Sequence, residues 1–210
     1  MRLNWQEAVG NCPQAVELSG FSDAGRVWPA RDIHARTAAM TETKAPADPS
    51  GLREGEVAVA LPAQFDASLY YIGCIHTPWK RREDCPKNPR ETRVECTITL
   101  DPRWAGGLQG IETVSHVVVL YWMDRARRDL VLQAPHHYSE RRGTFALRSP
   151  VRPNPIAVSV AQLVRIEGNT LTVVGLDCLD GTPLLDLKPY FASTDSIPDA
   201  SVGWHAGTKR

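Results

Sequence analysis

The sequence predicts a mainly β protein, an antiparallel barrel or sandwich that follows an irregular N-terminal extension. Short segments rich in β-branched and aromatic residues recur after residue 67. Turn signals built from Gly, Pro, Asn and Asp separate them, and helical periodicity is scarce. That combination marks an all-β architecture. At 210 residues the chain is long enough for one good core with an appendage.

Composition narrows the function classes. Lys plus Arg and Asp plus Glu both number 24, so the formal charge is zero. Nucleic acid therefore makes no global electrostatic demand, and any basic surface is local. No apolar run is long enough to cross a bilayer, and the N-terminus lacks a signal-peptide layout. The five cysteines are odd in number and form no CxxC pair, which argues against a zinc site or a disulfide framework. Free thiols in a reducing cytoplasm are the economical reading.

Residues 1–66 are rich in Ala, Pro, Asp, Glu and Gly, with a linker-like stretch at 43–51 and isolated apolar residues such as Trp5, Phe21 and Trp28. They predict a loosely ordered or disordered extension, within which Met40 is a second candidate start. A domain over 67–201 follows, then a tail, 202–210. Leu69–His76 is aromatic and β-branched and reads as a strand. A basic loop, Trp79–Thr92, leads to alternating Arg93–Leu100. Trp104–Ile111 predicts a short helix or wide turn. Val114–Met123, the most apolar stretch, predicts a strand buried on both faces. Asp124–Asp129 is charged, and 133–142 is a polar loop with His136 and His137. Ile156–Ile166 and Asn169–Leu176 are strands joined at Glu167-Gly168. A turn centred on Asp180-Gly181 precedes the last alternating run, Leu184–Tyr190.

Gly143–Pro155 is the densest chemical signal. Its prolines fix φ and hold Ser149, Arg152 and Asn154 in extended or turn geometry. A stiff frame presents Arg148 and Arg152 at low entropic cost, and a guanidinium recognises carboxylate or phosphate with a planar fork. In a barrel, loops at one mouth converge. That would set the Asn88–Glu91, Asp124-Arg125, Arg148 and Asp177–Tyr190 segments around one ligand. His116, inside an apolar strand, reads as a hydrogen-bonded core residue. His136 and His137 lack metal-ligand spacing. Tyr121 and Trp122 face opposite sides of a strand, one toward core and the other toward a pocket or partner. The Rossmann, Walker A, HExxH and GxSxG motifs are all missing from the sequence.

Ile72–Pro78, Asn88-Pro89-Arg90, Gly107–Glu112, Ser115-His116, Gly143–Pro150, Arg152–Ile156, Leu176–Pro183 and Asp186–Tyr190 occur in that order. Together they resemble the TsaA-like domain of the TrmO family, over residues 71–201. The resemblance implies a small β-barrel methyltransferase that binds S-adenosyl-L-methionine near a homodimer interface. The implied substrate is tRNA, methylated on N6 of N6-threonylcarbamoyladenosine at position 37. It also implies cofactor contacts at Pro89, Arg90, Glu91, Asp124, Arg125, Arg148, Asp177, Cys178, Leu179 and Asp180, with no metal and no membrane. Asp186, Lys188 and Tyr190 are the candidate catalytic residues on the acceptor side. Two departures change the charge of the site: Glu91 stands where the family often has Gln, and Asp124-Arg125 where it often has His-Gln. Better-known bacterial members carry a further C-terminal domain linked to tRNA handling. Methylation of a small molecule, or a non-catalytic cofactor-binding barrel, are the alternatives.

Overall fold

The computed structural model describes residues 51–63, 67–91, 93–136, 138 and 140–205. The readings of residues 1–50, of Met40 and of His137 fall outside the described residues. Six strands close an antiparallel barrel: β2 (Gly73–His76), β3 (Glu95–Leu100), β4 (His116–Trp122), β7 (Ile156–Glu167), β8 (Thr170–Val174) and β9 (Thr182–Pro189). Their order around the wall is β2-β3-β8-β7-β4-β9. β1 (Val57–Ala58), β5 (Leu130–Gln133) and β6 (Arg142–Gly143) form a separate three-stranded sheet.

Period-two alternation builds the barrel interior. Cys96, Ile98 and Leu100 of β3 and Val117, Val119 and Tyr121 of β4 point inward. Leu171 and Val173 of β8, paired directly with Ile98 and Cys96, join the same core. Each such buried aliphatic side chain contributes about 1.5–3 kcal/mol. Backbones also approach closely: a Cβ built on Gly73 would stand 2.4 Å from the Thr99 carbonyl oxygen, so β2 and β3 pack only with glycine there. The turn after β3 is capped by the buried Asp101, whose Oδ1 accepts from the Arg103 N–H at 2.9 Å. Gly168, at φ 63°, makes the hairpin between β7 and β8, as expected from Glu167-Gly168.

Some expectations are corrected. Leu69 and Tyr70 are exposed, and β2 starts only at Gly73. β4 is not buried on both faces. His116 is exposed, Val118 and Leu120 are half-buried, and only Tyr121 and Trp122 are buried as neighbours. Trp122 is covered from outside, with the Arg128 guanidinium 5.4 Å from its ring centre. Residues 102–108 form a short 3-10 helix, within the short helix or wide turn expected from Trp104–Ile111.

Part of the stretch assigned to the extension is docked. Val57 and Ala58 pair with Leu132 and Leu130 of β5. Val59 donates its N–H to the Asp129 carbonyl at 2.8 Å, and Arg127 reaches the Gly51 carbonyl at 3.0 Å. At the other end of the chain, Trp204 stacks on Arg142 with its ring centre 4.6 Å from the guanidinium carbon.

Candidate functional site

Loops meet at the barrel mouth beyond the end of β4. The first clasp joins Thr77–Lys80 to the turn after β8. Asp180 accepts from the Thr77 N–H at 3.1 Å and from the Lys80 ammonium, and its Oδ1 lies 3.6 Å from His76 Nδ1. Burial alone would raise this carboxyl, but the Lys80 ammonium and the Thr77 N–H outweigh it and hold it below the usual range. Thr77 Oγ1 donates to the Cys178 carbonyl at 3.0 Å, and Thr182 Oγ1 to the Leu179 carbonyl at 2.7 Å. The Asp180 carboxylate is thus engaged in closing the turn, and Cys178 turns its side chain into the core. His76 Nε2 is buried beside this clasp without a hydrogen-bond partner among the described residues.

Asp177 is placed differently. The Tyr121 hydroxyl donates to its Oδ1 at 2.9 Å and lies 3.0 Å from Ser159 Oγ. Tyr121 and Ser159 are buried, while Asp177 is half-buried at the mouth. Burial, reinforced by the Asp177 charge, drives the Tyr121 phenol far above its ordinary pKa, so it remains a neutral donor. Cys85, from the basic loop, also feels the Asp177 charge; burial first and that carboxylate second raise its thiol. The sequence singled out Tyr121 without a role. Ser159 was missed, although its place on an inward-facing position of β7 was readable from the alternation.

The Pro-Asn-Pro turn is tied to the segment after β4. The Met123 N–H donates to the Pro155 carbonyl at 2.9 Å, and Arg128 Nε to the Pro153 carbonyl at 2.6 Å. Gln133, buried, bridges Thr144 Oγ1 and the Val151 carbonyl. These ties bring Asp124 and Arg125 alongside the turn. Asp124 is exposed at its surface, yet crowding around its carboxyl raises its pKa against the pull of Arg125. Arg152 Nη1 lies 3.4 Å from the Leu147 and Ser149 carbonyls, which makes it a turn residue. Arg148 donates one bond, at 3.0 Å, to the Val158 carbonyl on β7 and has no carboxylate partner among the described residues. In the first loop, Asn88 holds both Glu91, at 2.8 Å, and the Arg90 N–H, at 3.1 Å.

The three acceptor-side candidates separate. Asp186 and Lys188 form an ion pair, and Asp186 borders an apolar groove of about 530 Å³ with Trp104 and Ile111. Tyr190 lines another groove, of about 350 Å³, together with Pro89, Arg90 and His116. His116 is therefore not the core residue expected: as the first residue of β4 it faces outward. Among the described residues no cluster of three His, Cys, Asp or Glu side chains is placed to hold a metal ion.

Residues 74–196 match the model of the tRNA-methyltransferase O N-terminal domain. The chain belongs to this family. The match covers all six barrel strands except the first residue of β2. A probable S-adenosyl-L-methionine-binding protein, VirR, from Rhizobium radiobacter is 51% identical over 138 residues, covering 66% of this chain and 79% of the relative. The tRNA (adenine(37)-N6)-methyltransferase of Escherichia coli K12 is 32% identical, over 63% of this chain and 61% of that enzyme. The crystal structure of TrmO from Pseudomonas aeruginosa superposes with a TM-score of 0.55 at 34% identity, covering 66% of this chain and 62% of that one. The chain spans about three fifths of the length of each of these last two proteins.

Proposed function

We propose that this chain is an S-adenosyl-L-methionine-dependent methyltransferase that methylates N6 of N6-threonylcarbamoyladenosine at position 37 of tRNA. The carrying observation is the pairing of its relatives' names with its barrel mouth. A relative at 51% identity is named for binding this cofactor, and one at 32% for methylating adenine 37. In this chain the mouth holds a carboxylate that accepts from the buried Tyr121 hydroxyl, itself 3.0 Å from Ser159 Oγ, and a guanidinium with no carboxylate partner among the described residues.

The donor set fits the cofactor. Tyr121 fixes one oxygen of Asp177, leaving the other for a ribose hydroxyl or an ammonium group. Arg148 suits a carboxylate. Pro89, Arg90 and Glu91 form one border, and Asp124 and Arg125 another. Asp180, Cys178 and Leu179 act through the backbone and through the clasp that shapes the turn. When bound, the cofactor supplies a preactivated methyl group, so the protein's work is proximity, orientation and electrostatics. The acceptor nitrogen must lose a proton, and Tyr190 borders the groove nearest the cofactor loop, whereas Asp186 and Lys188 neutralise one another elsewhere.

In this reading the protein works in the cytoplasm as a homodimer. Phe145 is 82% exposed, and Ile156 and Val158 stand open on the outer face of β7 beside Arg148, an apolar surface suited to a second copy. The test is to incubate the pure chain with labelled S-adenosylmethionine and tRNA from cells lacking the gene, then digest and weigh the nucleosides. Methylated threonylcarbamoyladenosine is expected; its absence would sink the assignment. Arg148→Ala should weaken cofactor binding by about 1.5–3 kcal/mol, and unchanged affinity by calorimetry would remove Arg148 from the site. One observation favours a second reading, a binding barrel without turnover: the VirR relative is named for binding only. Tight cofactor binding with no methyl transfer to tRNA would select it.

A further inference from the structure

We propose that the groove lined by β7, Pro89, Arg90 and Arg93 binds a single-stranded RNA nucleotide next to the base that is methylated, its phosphate on Arg90 and Arg93 and its base against Tyr190 and His116. The inference rests on the tRNA reading above and adds where the RNA strand lies.

The groove follows from unequal strand lengths. β7 has 12 residues, but β8 pairs with it only from Gln162↔Val174 to Glu167↔Thr170. Beyond Val174 the chain leaves the sheet through Gly175, at φ 108°, and among the described residues no strand pairs with the first half of β7 on that side. Arg148 takes the exposed Val158 carbonyl further along the same edge. Val160 and Val174 form the floor. Pro89, Arg90 and Arg93 make one wall, and His116, Gln162 and Tyr190 the other. That second wall is fixed: Tyr190 donates its N–H to the His116 carbonyl at 3.0 Å, and Ser115 Oγ lies 3.0 Å from His116 Nδ1.

Charge sets the ligand class. Arg53, Arg81, Arg103, Arg127, Arg142 and Arg165 are each paired with a carboxylate. The Arg90 and Arg93 guanidiniums have no such partner among the described residues, and no Asp or Glu lines the groove. In a chain of zero formal charge, this is a local surplus of positive charge beside an aromatic ring. Two guanidiniums attract a phosphodiester. A phenol and an imidazole offer flat faces to an unstacked base, and the Gln162 amide can both donate to and accept from a base edge. The volume, about 350 Å³, suits one nucleotide and not a duplex. Pro89 and Arg90 belong to the proposed cofactor loop as well, so a nucleotide here lies beside the methyl donor.

The test uses the full chain and a fluorescein-labelled anticodon stem-loop RNA carrying threonylcarbamoyladenosine, followed by anisotropy at several salt concentrations. Arg93→Ala should raise Kd several-fold and reduce the slope of log Kd on log salt by about one. Tyr190→Ala should raise Kd about five-fold or more, and Tyr190→Phe should restore most of the loss. Calorimetric affinity for S-adenosylmethionine should stay at the wild-type value in all three. Arg93→Glu, a surface change, keeps the test open should Tyr190→Ala fold poorly. If the wild type methylates tRNA while Arg93→Ala and Tyr190→Ala bind RNA normally, the groove assignment is overturned and the enzyme assignment stands. Loss of cofactor affinity in Arg93→Ala also overturns it, by giving the groove to the cofactor. A wild type that neither binds this RNA nor methylates tRNA removes both.

Discussion

Tyr121→Phe isolates the hydroxyl that joins β4, β7 and the segment after β8. The change deletes one oxygen and leaves the ring in place. It removes a hydrogen bond to the Asp177 carboxylate and a contact with Ser159 Oγ. A bond to a charged group is worth about 1.5–3 kcal/mol and a neutral one about 0.5–1.5 kcal/mol. Because Asp177 is half-buried, water replaces part of the first. A net loss of about 2–3 kcal/mol follows, or roughly 4–12 °C in Tm for a chain of this size. Thermal and urea unfolding followed by circular dichroism measure it. The pH dependence gives an independent check. The folded phenol is raised above its unfolded value of about 10. Below pH 10 its contribution is fully present. Above it the unfolded chain loses the proton while the folded chain keeps it, so stability falls as pH rises. The phenylalanine variant should lose that limb of the decline. Tyrosinate absorbance should show Tyr121 un-ionised while the fold persists. A destabilisation under about 0.5 kcal/mol, or native Tyr121 titrating near pH 10, would refute the assignment of this hydroxyl.

Asp180→Asn should destabilise the fold by about 1–3 kcal/mol at neutral pH. Its folded pKa is lowered, so the stability it confers is present above the unfolded value of about 3.9 and disappears as pH falls through the folded value. Urea midpoints of wild type and variant should therefore converge in acid. Gly73→Ala places a methyl group against the Thr99 carbonyl and should cost about 1–3 kcal/mol, read from the urea midpoint. Among the described cysteines, native alkylation mapped by mass should modify Cys85 first. Cys74, Cys96 and Cys178 are buried, the Cys96 thiol is pushed up to about 11, and all three should react only on unfolding.

Much of the barrel was readable because its strands alternate. β7 announces itself through β-branched residues at alternate positions (Ile156, Val158, Val160, Val164 and Ile166), β3, β8 and β9 through alternation of polar and apolar residues, and Gly168 and Gly181 mark their turns. β4 misled for a physical reason: Val118 and Leu120 are apolar yet only half-buried, so hydrophobicity overstated burial. β5 escaped notice because Leu130–Gln133 is four residues long and lies between charged segments. At the site, motif order singled out Asp177 and Arg148, but no local pattern reveals that Asp180 is consumed by Lys80 and Thr77, about a hundred positions away. The separation of Asp186 from Tyr190 likewise lies in their places along the strand, one inside β9 and the other just past its end beside His116.

β1 carries a consequence for how the domain is delimited. The family match begins at residue 74, yet Val57–Ala58 lie against the outer side of β5, and Glu56, Val59 and Arg127 fasten them there. A fragment trimmed to the family boundaries would bare the edge of a strand whose sequence is Leu-Val-Leu-Gln. Bare apolar edges invite pairing with another chain. Such a fragment should form larger assemblies than the longer chain does, and it would loosen the segment that bears Asp124 and Arg125. The working unit of this protein therefore extends upstream of the family match, taking in at least Gly51 and Val57–Ala58.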